Sequence, residues 1–163
     1  MAEQTQPQSR RPAPAPEGLM ADFLSAEELH ALVMRHEAEA VQARQSERSR
    51  RDEDRRHRVD MFRQRRELTP DVVQRAIQRW QNAARQGDQE VEVIRFPSQL
   101  CTDDGRAINN GEPDWGRTLV GVPAQIYEIW EHHLRSRGFG LKACIVDFPD
   151  GKPGDVGMFI HWG

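Results

Sequence analysis

The chain predicts an α+β or α/β fold: a helical N-terminal arm followed by a small two-layer domain, helix-strand-loop-helix-strand-strand, with a three-stranded sheet covered by two helices. Three observations carry that expectation. All four tryptophans, Trp80, Trp115, Trp130 and Trp162, fall after residue 68, so the packed core is expected there. Residues 44–66 hold ten arginines against five acids and almost no apolar side chain, which suits a solvated helix better than a core element. Beyond residue 68, segments of helical and of two-residue period alternate between glycine and proline punctuation.

The elements follow in order. Residues 1–20 mix Gln, Pro, Arg and Ala without apolar periodicity and are expected to be a disordered leader. Ser25 and Glu28 fit a capping box, Leu24 and Leu29 the accompanying apolar staple, and Leu29, Leu32, Val33 and His36 continue one helical face. That stripe is brief and needs a partner surface, on this chain or on another molecule. From Val41 the helix-favouring composition persists while the stripe stops, so residues 21–67 read as an amphipathic helix running into an Arg-rich arm. Residues 68–163 read as the compact domain.

Thr69-Pro70-Asp71 opens the domain's first helix, with Val72, Val73, Ala76, Ile77, Trp80 and Ala84 as its expected buried face and Gly87 as its stop. Residues 90–96 alternate acid and aliphatic before Pro97, the pattern of a half-buried strand. Residues 98–118 are long for a connection, and such segments tend to be functional or to hide a short helix. Pro123 opens another helix, with Ile126, Tyr127, Ile129, Trp130 and Leu134 expected inside and Gly138 closing it. Residues 141–148 and 156–162 read as strands joined by a hairpin loop, 149–155. The strand-helix-strand passage favours a parallel crossover, with the last strand added antiparallel. Both Trp-bearing helices precede a Phe-Pro pair, Phe96-Pro97 and Phe148-Pro149, a weak internal repeat that generic punctuation also produces. A winged helix fits the same order if residues 98–107 are helical; Glu128 and Glu131 then oppose DNA contact and leave protein binding as its use.

Charge is unevenly spread. The formal net charge of -3 combines +5 over residues 44–66 with -3 over residues 68–163, an asymmetry that points to an electrostatic role for the arm. Arg44, Arg48, Arg51, Arg55, Arg58 and Arg65 recur at spacings of four and three, with Phe62 in the series, and lay a basic stripe about 30 Å long on one helix face. The same segment contains Glu47 with Arg51, Asp52 with Arg56 and Asp54 with Arg58 at i,i+4, pairs that support a solvated spacer helix by a few tenths of a kcal/mol each. No apolar run approaches the roughly 20 residues of a membrane span and no signal-peptide core is present, so a soluble, cytoplasmic protein without membrane contact is expected. Cys101 and Cys144 lack any CxxC or Cys/His spacing, so no disulfide scaffold, metal or cofactor is expected. Arginine outnumbers lysine 21 to 2, as GC-rich coding produces, and a bacterial origin is expected from that.

Candidate chemistry concentrates in residues 98–118, where Cys101, Asp103, Asp104, Arg106, Asn109, Asn110 and Glu112 cluster in sequence. A metal site built from Asp103, Asp104, Glu112 and Asp114 lacks the alternating spacing of calcium loops, and turn and cap formation accounts for the same residues. Cys101, with Asp103 and Asp104, is a weak catalytic candidate, since a nucleophilic thiol needs a nearby base and no motif ties His132, His133 or His161 to it. Trp115 and Tyr127 are either contact aromatics or core. The leading expectation is a non-enzymatic binding or regulatory protein whose arm docks to a protein partner or to itself. The alternatives are a nucleic-acid-associated protein that sets the six stripe arginines on phosphates, and a small enzyme or ligand sensor centred on the 98–118 loop.

Overall fold

The computed structural model describes Gly18 and residues 23–163; the expected leader, Gly18 apart, lies outside the described residues. Contacts divide the chain into two compact units, 1–48 and 49–163. The elements are α1 (Ala26–Arg63), α2 (Pro70–Arg85), β1 (Glu90–Pro97), α3 (Arg106–Asn109), α4 (Gly121–Ile129), β2 (Gly140–Ile145) and β3 (Asp155–His161). The fold is therefore mixed α+β, a long N-terminal helix followed by a small sheet domain, as the sequence predicts.

In the first unit, α1 begins at the expected capping box. The Ser25 N–H donates to Glu28 Oε2 at 2.6 Å and the Glu28 N–H donates to Ser25 Oγ at 3.1 Å, so two otherwise unpaired donors of the first turn are satisfied reciprocally. The Ser25 N–H is also the main reason the Glu28 carboxyl sits below its ordinary value.

The second unit is organised by its sheet, whose order is β1-β3-β2 with both pairings antiparallel. The expected parallel crossover pair is thus absent: β1 and β2 run in the same direction, but β3 returns from the hairpin and inserts between them, pairing antiparallel with each. This satisfies the ladder groups on both edges of β3 and buries the most apolar strand centrally. Val156, Met158 and Ile160 are all at most 2 % exposed.

β1 solves a phase problem. Val91 and Val93 alternate in one register while Ile94 and Phe96 follow in the other, so a regular strand would send one pair to solvent. The register shifts between Glu92 and Ile94, leaving Val93 as the extra residue. After this bulge Val91, Ile94 and Phe96 stand opposite Ile160, Met158 and Val156, all on the buried face. The other face carries Glu92, Lys142 and Phe159; Lys142 lies over the Phe159 ring and reaches Glu90 across the intervening strand.

The buried face is covered by the 98–120 segment, by α4 and by the end of α1. Val59 is buried in the core with Phe96, Leu100, Cys101, Ile108, Leu119, Val156 and Met158, and Phe62 packs against the same cluster. Burying Val59 is worth about 1.5–3 kcal/mol. Around it Arg58 pairs with Asp155 at 3.0 Å, Arg65 makes a two-pronged contact to Glu128 at 2.6 and 2.7 Å, and the Gln125 side chain holds both the N–H and the C=O of Arg66. Gly121, at φ 65°, admits the close approach of α1, because a Cβ there would collide with the Phe62 carbonyl oxygen.

α2 starts at Pro70 and ends before Gly87 at φ 92°, as expected, but its apolar face is only partly covered. Ala83 is buried and Trp80 packs on Phe139, whereas Val72, Val73 and Ile77 are each about two-fifths exposed. Three strands offer too little surface for the whole helix, so its C-terminal turns take it. α4 opens with Val122 and Pro123 buried, then continues through a π-helical turn, Trp130–Leu134, and a 3-10 turn, Arg135–Arg137, to Gly138; its expected core residues Ile126, Tyr127, Ile129, Trp130 and Leu134 are half-buried. Residues 98–118 do hide a short helix, α3, but residues 98–107 are not a continuous helix, which removes the winged-helix arrangement. The Phe-Pro repeat is not structural either: Phe96 is fully buried and Phe148 is exposed beyond the end of β2.

Gly121→Ala is expected to cost about 3 kcal/mol, combining left-handed strain with a backbone collision, against about 1 kcal/mol for Gly87→Ala, where strain acts alone in open space. Urea unfolding followed by tryptophan fluorescence measures both, and equal losses would show that α1 does not pack on Gly121.

Candidate functional site

The 98–118 segment is built from its backbone outwards. A single bridge pairs Cys101 with Leu119, and the Thr102 N–H donates to the Thr118 carbonyl at 2.8 Å, closing the segment at its base. Asp103 then caps α3: Oδ1 accepts from the Gly105 N–H at 3.1 Å and Oδ2 from the Ala107 N–H at 2.8 Å. Both carboxylate oxygens are committed to the turn, the role short Asp side chains take most readily. Asp104 adopts φ 54° beside Gly105 at φ 84°, which completes the reversal. Arg106 pairs with Glu112 at 3.4 Å, Asn110 approaches the same carboxylate at 3.5 Å, and Asn109 is exposed at the end of α3.

Cys101 points inward, 2 % exposed. Burial pushes its thiol up to about 11; a hydrogen bond with Thr118 opposes the shift, and the charges of Asp103 and Asp104 add to it. Such a sulfur stays a neutral thiol at neutral pH, the reverse of an activated nucleophile. Among the described residues no three His, Cys, Asp or Glu side chains gather in a way that could hold a metal ion. Trp115 and Tyr127 meet edge to face at 5.4 Å, Tyr127 meets Trp130 at 5.5 Å, and Trp115 and Tyr127 pack against the core cluster, so the aromatics form one half-buried row.

The six stripe arginines separate into groups. Arg58 and Arg65 are held by Asp155 and Glu128, and Arg51 is also engaged. The contact with Arg65 holds the Glu128 carboxyl below its ordinary range and raises the guanidinium in turn. Arg44 and Arg48 are exposed and Arg55 is half-exposed; none of the three joins an ion pair among the described residues. Composition masked the inward face at this end of α1; the signal was Val59 and Phe62, apolar residues three apart on one helix face in an arginine run, with Met61 between them exposed.

Two surfaces remain. An open depression of about 480 Å³ lies between α2 and β1, lined by Arg75, Arg79, Asn82, Gln86, Asp88 and Val91. In the first unit, Phe23, Leu24, Leu29, Leu32, Val33 and Met34 are exposed, between 48 and 70 % each. No described helix is long and apolar enough to cross a membrane. Comparison with protein-family models, curated proteins and solved structures returns no match.

The neutral Cys101 thiol sets a pH dependence. With its folded value above its unfolded one, its contribution to stability is complete below about pH 9 and is lost as the pH rises towards 11. Two units correspond to roughly 2–3 kcal/mol. Urea midpoints across that range are expected to fall more steeply for the natural chain than for Cys101→Ala, and parallel curves would count against burial of the thiol. A thiol reagent at pH 8 is expected to modify the exposed Cys144 first and Cys101 only on unfolding.

Proposed function

We propose that this is a cytoplasmic, non-enzymatic binding or regulatory protein, in which the folded sheet domain accompanies a helical docking segment for a protein partner. The observation that carries the reading is the run of large apolar side chains left in solvent along residues 23–34. A contiguous exposed apolar stripe is costly to solubility, and on a soluble chain such patches mark interaction surfaces. Presented at i, i+3 and i+4, Leu29, Leu32 and Val33 suit insertion into a groove, the mode by which amphipathic helices are commonly captured. The raised thiol of Cys101 and the cap commitment of Asp103 argue against chemistry in the 98–118 segment.

A second reading, nucleic-acid contact, draws support from Arg44, Arg48 and Arg55, which keep their charge outside the ion pairs described above. Its stripe is shortened, because Arg58 and Arg65 serve internal carboxylates. Electrostatic binding of that kind weakens steeply with salt.

The full chain and its Leu32→Asp/Val33→Asp variant, each captured on beads with and without nuclease, separate the two. A defined protein retained after nuclease and lost with the variant is the expected result. Retention that vanishes with nuclease or moderate salt and ignores the variant would replace docking with polyanion binding.

A further inference from the structure

Resting on the docking reading, we propose that the partner of the N-terminal segment is a second copy of this chain, paired antiparallel along residues 26–43. Ala26, Leu29, Val33, His36, Ala40 and Ala43 follow one another at spacings of three and four without a break. That is the period of a helix–helix seam. All six lie within α1, and all are exposed except the half-exposed Ala40. Glu47 and Arg50 occupy the next two places, so the seam ends where the arginine-rich segment begins.

Its composition is self-complementary in one direction only. Antiparallel, Ala26 faces Ala43, Leu29 faces Ala40 and Val33 faces His36, and a two-fold axis repeats each pair. Leu29 then meets the small Ala40, and the alanine pairs at either end of the seam let the two helices approach closely. A parallel arrangement sets Leu29 on Leu29 and Ala40 on Ala40, so it lacks the Leu29–Ala40 match.

Charge selects the same direction. Residues 23–43 carry Glu27, Glu28, Glu37 and Glu39 against Arg35, while Arg44 and Arg48 follow at once. Antiparallel pairing brings the acidic end of one helix towards the basic end of the other, whereas parallel pairing places Arg44 and Arg48 beside their own copies.

Sedimentation equilibrium of the full chain, from micromolar to submillimolar concentration, tests the association, with far-UV helical signal followed in parallel. The expected result is a monomer–dimer equilibrium in which helicity rises with dimer, and in which Leu29→Asp/Val33→Asp weakens association by roughly tenfold or more. All four tryptophans lie in residues 49–163, so unchanged fluorescence shows that this variant leaves the domain folded. Direction is read by disulfide formation in a Cys144→Ser background: an Ala26→Cys chain mixed with an Ala43→Cys chain is expected to cross-link faster than either alone. Faster linkage within each single preparation overturns the antiparallel pairing, and a dimer indifferent to Leu29→Asp/Val33→Asp overturns the seam. A chain monomeric throughout overturns self-association; if Leu32→Asp/Val33→Asp still abolishes capture of a different protein, the docking reading stands without it.

Discussion

The second unit depends on one contact, the seating of the last turns of α1 at Gly121. Without it the buried face of the sheet would rest on α4, the 98–120 segment and the C-terminal turns of α2 alone. Val59 and Phe62 supply the missing apolar surface, and the left-handed glycine removes the one atom that would hold the helix backbone away. Polar groups then fix the register of that contact. Arg58, Arg65 and the Arg66 peptide meet Asp155, Glu128 and Gln125, which belong to β3 and α4, so one helix end is tied to two elements of the layer it covers. The ion pairs are individually modest because both partners of the Arg65–Glu128 pair remain in water. Their value is directional: they select one rotation of α1 among several that would bury Val59.

This arrangement gives the arginine run two different uses. Its C-terminal part neutralises carboxylates of the sheet domain and is structural, whereas Arg44 and Arg48 stay exposed. A count of arginines treats the run as one basic stripe, yet the stripe is divided by where Val59 must point. The difference matters for any polyanion contact, since only charges without an internal partner can release counterions cheaply.

Local signals were legible where the physics is local. The Ser25/Glu28 box, the Thr69-Pro70 start and the Asp103 turn all rest on interactions within four residues, and the chain forms each of them. What escaped depends on partners distant in sequence. The insertion of β3 between β1 and β2 cannot be read from element order, and Val93 is recognisable as a bulge only once Ile94 and Phe96 must face Met158 and Val156. Cys101 sits beside Thr102, Asp103 and Asp104, so its neighbours disguise an inward side chain. Val72, Val73 and Ile77 show the opposite error: periodicity identifies an apolar face, but a buried face also requires enough opposing surface.

The same distinction governs the first unit. There the 3-4 pattern of α1 is as regular as any in the domain, yet Leu29, Leu32 and Val33 keep about half of their surface in water. In α2 the exposed residues are the overhang of a helix already anchored by Ala83 and Trp80, and a small sheet explains them. No such anchor accompanies residues 26–43, whose only burial is partial, at Ala40. An apolar stripe with no anchor contributes only a few tenths of a kcal/mol per side-chain pair to its own helix and exposes surface that promotes association. Its regular seam is therefore better accounted for by a surface outside the unit than by the unit itself, and the antiparallel match of Leu29 to Ala40, with Glu27 and Glu28 brought towards Arg44 and Arg48, is what makes a second copy the most economical candidate.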